Sequence, residues 1–341
     1  MLKKEFSIFA IKAPNWLGDC VLSLPAIRAV AEHSPRAQVV VLASTLSAEI
    51  IRRIPNTIVF GFHRPGGSIA DSIRSTLRGA RILRKCRPVI GLSFTKSAGS
   101  AMTLFLGDVK RRVGFKTAAM AFLYTDRISE PKRETHLVEF YCKLVESMGI
   151  KVIDRVPRLK PSDQDIAKAM MLLERYGIGH RDYICLFPGS SYGPSKRWPH
   201  HRFGLLVDEL ADRFGLVALI LGGNDDTRMC KAVEESTRNR VINLCGDVDI
   251  GATIGLLAMA RGAVSNDSGG MHLAAATGIP VVGLFFSTQP KWTAPLSLKA
   301  KAIYKPLRCS PCFQRSCKNG NPCTETITVD DVIYALKDLI E

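Results

Sequence analysis

No stretch of this 341-residue sequence approaches the ~20 consecutive apolar residues that a membrane-spanning helix needs. A secretory leader is not expected either. Met1-Leu-Lys-Lys and the apolar Phe6 to Ile11 give way to Lys12 and Pro14 without a small-residue cleavage site, and the run is too short for export. A buried first strand explains it better, so a cytoplasmic protein is expected. Aromatic residues make up only 7%, too few for an extended base-stacking groove, and no nucleic-acid module is recognisable. Nucleic acid is therefore not expected as a partner. No Gly-Lys-Ser/Thr stands at Walker spacing.

Cysteine is not scarce, but its pattern is not a disulfide framework. Cys20, Cys86, Cys142, Cys185, Cys230 and Cys245 are scattered through apolar segments as free thiols would be. Cys309, Cys312, Cys317 and Cys323 cluster in a Pro- and Gly-containing stretch. Two readings stand for them: a structural zinc or redox-sensitive loop, and unligated thiols. No constellation demands a catalytic metal.

What the chain has in excess is positive charge, formally +16. Dense groups occur at Arg74, Arg78, Arg81, Arg84, Lys85 and Arg87, then at Lys110, Arg111 and Arg112. A basic balance favours anionic partners, but a solvated surface has the same appearance in sequence.

Short apolar β-rich runs alternate with helical patterns. Phe6 to Ile11, Gln38 to Leu42, Thr57 to Phe60 and Val89 to Phe94 read as strands; Leu24 to Glu32, Ser47 to Arg53, Ile69 to Lys85 and His136 to Met148 read as helices. A second series with the same rhythm opens at Tyr183 to Phe187 and runs to the strand Pro280 to Phe285. Between them, residues 156–163 carry two prolines and little periodicity, which marks a linker. The expected fold is α/β: two Rossmann-like domains with parallel sheets facing across a cleft, over residues 1–157 and 164–341, with the last helix able to pack back on the first domain. In such sheets ligands bind beyond the carboxyl ends of the strands.

Three motifs stand at such ends. Lys12-Ala-Pro-Asn-Trp-Leu-Gly-Asp19 follows the first strand. The helix after it starts near Asp19 or at Ser23, and Asp19 is either a helix cap or a catalytic carboxylate. Phe187-Pro-Gly-Ser-Ser-Tyr-Gly-Pro-Ser-Lys-Arg-Trp-Pro199 opens the second half. Its amides, the hydroxyls of Ser190 and Ser191, and Lys196 suit a diphosphate, or form a plain surface loop. Val264-Ser-Asn-Asp-Ser-Gly-Gly-Met-His272 ends a strand and starts a helix at Ser268, Gly269 and Gly270, the geometry of an anion site. Asp267 there either orients a hydroxyl or caps the helix. Asp163-Gln-Asp165 and Asp247-Val-Asp249 are more economically helix caps than metal-diphosphate ligands.

Together these segments resemble the bacterial heptosyltransferases of glycosyltransferase family nine, nearest to its heptosyltransferase II branch. The matching stretches are Asn15-Trp-Leu-Gly-Asp19 with Leu24-Pro25, Lys196-Arg-Trp-Pro199, Ser265-Asn-Asp-Ser-Gly-Gly-Met-His-Leu-Ala-Ala275, and Pro290-Lys-Trp-Thr-Ala-Pro-Leu-Ser297. Ser93-Phe-Thr-Lys-Ser-Ala98 and Arg111-Arg-Val-Gly-Phe115 resemble the family's acceptor loops. Gly270 departs from the pattern, where a larger apolar residue is usual. The resemblance implies a GT-B fold and an inverting, metal-independent transfer of L-glycero-D-manno-heptose from ADP-heptose to a heptose of the lipopolysaccharide inner core. It implies no cofactor and a protein peripheral to the inner membrane. By the same resemblance Asp19 is the general base and Lys196 steadies the diphosphate. Ser190, Ser191, Asp267, Ser268, Gly269, Gly270 and His272 surround the donor; Asn15, Trp16, Lys96, Ser97, Arg111 and Arg112 surround the acceptor. The alternatives are a transfer to Kdo-lipid A of the heptosyltransferase I type, another nucleotide sugar on the same fold, and a sugar-nucleotide epimerase. The basic groups at 74–87 and 110–112 would then assist acceptor or membrane docking.

Overall fold

The structure, a computed structural model, describes residues 8–33, 38–63, 68–132 and 134–341. Phe6 and Ser7, the start of the expected first strand, lie outside these. By its internal contacts the chain divides into two units, Met1–Pro157 and Arg158–Glu341.

The first unit alternates β1 (Ile8–Lys12), α1 (Leu17–Glu32), β2 (Gln38–Ser44), α2 (Thr45–Ile51), β3 (Thr57–Phe62), α3 (Ile69–Cys86), β4 (Ile90–Ser93) and α4 (Ala98–Leu106). It continues with β5 (Arg111–Phe115), β6 (Asp126–Ile128) and α5 (Leu137–Glu146). The strands form one parallel sheet in the order β3-β2-β1-β4-β5-β6. β1 and β2 are buried along most of their length because helices cover both faces of such a sheet.

The second unit opens with α6 (Asp163–Tyr176), β7 (Tyr183–Phe187), α7 (His200–Phe214), β8 (Val217–Ile220), α8 (Thr227–Glu234), β9 (Val241–Asn243), α9 (Ile250–Met259) and β10 (Gly262–Asn266). Then come α10 (Gly269–Thr277), β11 (Val281–Phe285), α11 (Pro290–Thr293), β12 (Ala300–Tyr304) and α12 (Val329–Ile340). Its sheet is also parallel, in the order β12-β11-β10-β7-β8-β9. The last helix packs on β10, β11, β12 and α7 of its own unit. Its apolar residues Val332, Ile333 and Leu336 belong to the same core as Trp198 and Phe203.

Each sheet reverses its order once, between β1 and β4 in the first unit and between β7 and β10 in the second. Loops leaving neighbouring strands part at such a switch, which opens a crevice at their carboxyl ends. The three sequence motifs follow β1, β7 and β10, so each stands at the switch of its own sheet.

Some local expectations are corrected and others are met. α1 begins at Leu17, close to the earlier of the two starts read from the sequence and not at Ser23, because the Cys20 amide already bonds the Trp16 carbonyl at 2.9 Å. Pro25 is therefore inside the helix rather than in its first turn. α4, β5, β6 and β12 were not assigned from periodicity; the three strands have only three to five residues each. Asp165 completes a capping box with Ser162, its carboxylate accepting from the Ser162 amide at 2.7 Å, and Asp249 caps α9 by accepting from the Ala252 amide at 2.7 Å. Residues 151–162 contain no helix or strand. Among the described residues no helix is long and apolar enough to cross a membrane.

Candidate functional site

In the second unit the loop after β7 descends through Pro188 and Gly189 to a short 3-10 turn, Pro194–Lys196, and on to Trp198. Trp198 is fully buried and fixes the loop at one end. Its amide donates to Asn266 Oδ1 at 3.0 Å, and its indole Nε1 donates to the Ile327 carbonyl at 3.0 Å. Asn266, the last residue of β10, donates in turn to the Pro188 carbonyl at 2.7 Å. One side chain thereby ties the β7 loop to the β10 loop across the switch.

The other end of the loop is held by residues 313–315. The Ser195 amide donates to the Arg315 carbonyl at 3.3 Å, Arg315 Nε donates to the Tyr192 carbonyl at 2.7 Å, and the Tyr192 hydroxyl donates to the Phe313 carbonyl. The approach is so close that a Cβ at Gly193, whose φ is +153°, would lie 2.3 Å from the Arg315 carbonyl oxygen. Glycine is required there.

This scaffold points Lys196 at Asp267, Nζ to Oδ2, at 2.5 Å. Their side chains are only 12% and 4% exposed. Thr288 and Thr293 also donate to the Asp267 carboxylate, at 2.6 and 3.2 Å. The carboxylate is thus committed to one ammonium and two hydroxyls, and it does not cap α10. The Lys196 ammonium also lies 4.7 Å from the Tyr192 ring centroid. An ammonium has three donors, and the bond to Asp267 takes one.

Beside this pair α10 begins. Ser268 is its N-cap residue but its side chain makes no capping bond; the hydroxyl lies 3.2 Å from Ser265 Oγ instead. The first-turn amides of Gly269 and Gly270 carry no side-chain cap, which leaves a helix terminus suited to an anion. His272 is buried in the same turn. Ser190 is buried and its carbonyl accepts from Arg197 at 3.0 Å, whereas Ser191 is exposed.

The departure at Gly270 has a packing cause. A Cβ there would stand 2.3 Å from Cδ1 and 2.4 Å from Cγ of Phe187, so the ring of Phe187 occupies the space that a larger residue at 270 would fill. Overpacking of this kind costs about 1–3 kcal/mol. Gly270→Ala is expected to lower the urea midpoint accordingly, and Gly270→Ala with Phe187→Leu to recover most of the loss.

In the first unit Asp19 is the third residue of α1, half-buried, where the helix dipole favours a carboxylate. The capping position belongs to Trp16, so the cap reading of Asp19 does not hold. Asn15 and Trp16 are exposed beside it. Lys96 follows β4 on the other side of the switch; its ammonium bonds Glu130 at 2.7 Å and lies 4.8 Å from the Phe140 ring centroid. Ser97 is the N-cap of α4, accepting from the Ser100 amide at 3.3 Å.

Arg111 and Arg112 are not brought to this edge. They begin β5, and in a parallel sheet the start of a strand lies at the edge opposite the carboxyl ends. Both have structural duties there. Arg111 bonds Asp126 at 3.0 Å, and Arg112 donates to the Val109 and Leu123 carbonyls at 2.6 and 2.7 Å.

The sequence reading did not single out Lys12 within the first motif. Burial at the end of β1 lowers its pKa to about 8; the signal available was a lysine ending an otherwise apolar strand. Tyr192 and Thr293 stand inside the 187–199 and 290–297 stretches but were given no role there, and Thr288 and Arg315 contact the site from segments with no motif of their own. The four late cysteines are free, Cys309 exposed and Cys323 buried. Burial, followed by the charges of Cys312, Cys309 and Cys317, raises the Cys323 pKa. Among the described residues no group of three or more His, Cys, Asp or Glu is arranged to hold a metal, so the zinc reading of this loop gains no support. Of the six scattered cysteines five are buried and Cys86 is half-buried.

The chain is similar to lipooligosaccharide heptosyltransferase 2 of Haemophilus influenzae, 28% identical over 303 residues that cover 86% of this chain and 87% of the relative. Its fold is similar to that of E. coli ADP-heptose lps heptosyltransferase II, with a TM-score of 0.82, 23% identity and 98% of each chain covered. It is also similar to the E. coli heptosyltransferase WaaC with ADP, with a TM-score of 0.71, 17% identity and coverage of 97% of this chain and 99% of that one. These likenesses place the fold in the GT-B class. Residues 77–322, well over half of the chain, match the family described as Glycosyltransferase family 9 (heptosyltransferase). That span takes in the Lys196 loop and the Asp267 turn, and the chain belongs to this family of glycosyltransferases.

Proposed function

We propose that the chain transfers L-glycero-D-manno-heptose from ADP-heptose to a heptose of the lipopolysaccharide inner core, with inversion at the anomeric carbon and without a metal. The observation that carries this reading is the buried Lys196–Asp267 pair beside the uncapped start of α10. A leaving diphosphate needs positive potential in a water-poor place. Lys196 has two further N–H donors to offer and the Gly269 and Gly270 amides add the helix-terminus field. Asp267 and its two threonines hold the ammonium still, so little reorganisation is required when charge develops. Ser190, Ser191, Ser268 and His272 complete the donor's surroundings.

An inverting transfer also needs a base for the attacking hydroxyl. Asp19 takes that proton, with Asn15, Trp16, Lys96 and Ser97 contributing to the acceptor's surroundings. The first unit is then the acceptor domain and the second the nucleotide-sugar domain. The acceptor is lipid-anchored, which makes the protein peripheral to the cytoplasmic membrane face.

The test is incubation of the purified protein with ADP-heptose and defined truncated lipopolysaccharides, with products weighed by mass spectrometry. One added heptose on an acceptor that already carries one is the expected result. Addition to a heptose-free Kdo-lipid A acceptor would replace this reading with the heptosyltransferase I type. Turnover of the nucleotide sugar that needs no acceptor would replace it with an epimerase.

A further inference from the structure

The first unit carries a second feature, away from the motifs, that the transfer chemistry leaves unexplained. α3 and α4 pack side by side, yet α3 turns an apolar row outward. Ile69, Ile73 and Leu77, spaced four residues apart on one face, are 80%, 53% and 43% exposed. With Met102 and Leu106 of α4 they line an open groove of about 400 Å³. Leu106 is shared with an adjoining cavity of about 790 Å³ whose walls include Arg84, Arg87 and Lys110 together with Val89 and Phe105. Phe105 is itself 47% exposed, with the Arg112 guanidinium 5.6 Å from its ring centroid.

The charge on this face is one-sided. Among the residues of α3 Asp71 is the single acid, paired with Arg74 at 3.2 Å. Asp108, in the basic cavity, is answered by Lys110 at 2.9 Å, and Lys110 keeps 80% of its side chain exposed. Arg78, Arg81, Arg84 and Lys85 lie along the same helix. A helix with exposed aliphatic residues on one side and a rim of cations is the pattern of an element lying in a membrane interface.

We infer that the α3–α4 groove is a bilayer-docking surface: it seats phospholipid acyl chains along Ile69, Ile73 and Leu77, and anionic headgroup phosphates at Arg84, Arg87 and Lys110. The partner is an anionic phospholipid surface, chosen by charge complementarity and by an apolar trough continuous with the cationic end. Besides Ser72 and Thr76 the trough is lined by Ala98 and Gly99, which directly follow the Lys96–Ser97 loop at the carboxyl end of β4. Docking through this face brings that loop to the membrane surface, where a lipid-anchored acceptor presents its sugars. The inference rests on the proposed acceptor class in this respect alone.

The experiment is co-sedimentation of the full chain with vesicles of phosphatidylcholine, alone or equimolar with phosphatidylglycerol, across a salt series. Wild type is expected to bind the mixed vesicles at least tenfold more tightly than the neutral ones. Ile69→Asp with Ile73→Asp, both on exposed positions, should weaken that binding by tenfold or more. Arg87→Gln with Lys110→Gln should weaken it by about 25-fold at low salt, at ~5-fold per cation near an anionic surface. Far-UV dichroism and thermal melting confirm that each variant folds. Transfer to a soluble, de-acylated acceptor should be unchanged in the Ile69→Asp, Ile73→Asp variant. Equal affinity of that variant and wild type for mixed vesicles would overturn the inference, as would equal wild-type binding to both vesicle types or to neither. Loss of transfer to the soluble acceptor in this variant would also overturn it, because the groove would then belong to the sugar-binding site. Failure of wild type to act on any acceptor, with vesicle binding intact, would instead count against the proposed function.

Discussion

Asp19→Ala is expected to lower turnover by about 10²–10⁴-fold, the range that a general base contributes, while ADP affinity measured by calorimetry stays within about twofold. The reasoning starts from its place at the third position of α1, whose capping residue is Trp16. Removing a first-turn carboxylate costs only about 0.3–1 kcal/mol through the helix dipole, so the variant should still fold. A structural role would appear as a lowered melting temperature with turnover roughly preserved. Asp19→Asn sharpens the comparison, since the amide keeps the shape and loses the proton acceptor. Wild-type turnover in either variant would remove Asp19 from the chemistry.

Lys196→Ala should have the second large effect, a drop in kcat/KM of about 10²–10³-fold, comparable to removing one electrostatic donor from a preorganised site. Here a stability cost accompanies it. Asp267 is 4% exposed and would lose its ammonium, and breaking a buried pair costs about 3–5 kcal/mol when nothing else compensates. Thr288 and Thr293 still donate to the carboxylate, so the loss should fall at or below the low end of that range. Lys196→Met combined with Asp267→Leu separates the two effects. The double variant should recover most of the urea midpoint and none of the activity. A double variant that regained activity along with stability would show that Lys196 acts through the fold and not on the departing diphosphate.

The fold was largely legible because its strongest signals are periodic. Runs such as Val39 to Leu42 and Tyr183 to Phe187 are buried on both faces, and a parallel sheet covered by helices produces that pattern. Short elements escaped: β6 has three residues and α4 has nine. The site was legible where one motif contained both the turn and the chemistry, as at Asn266 to His272. Roles that depend on meetings across long sequence separations were not. Thr288 and Thr293 reach Asp267 from 21 and 26 residues away, and no spacing rule joins them. Arg111 and Arg112 show the opposite error, since a local resemblance to acceptor loops gave no information about which end of β5 they occupy.

The clasp between residues 192–195 and 313–315 has a consequence for how the protein comes to be active. Tyr192 and Phe313 are 121 positions apart, and Trp198 finds its carbonyl partner at Ile327, 129 positions on. Synthesis runs from the amino terminus, so a nascent chain can pair β10 with β7 and with β11 before the residues that fasten the Lys196 turn have left the ribosome. The Lys196 turn is therefore fastened last, and a polypeptide stopped short of Phe313 would lack both the strap that aims its ammonium and the core residues of α12.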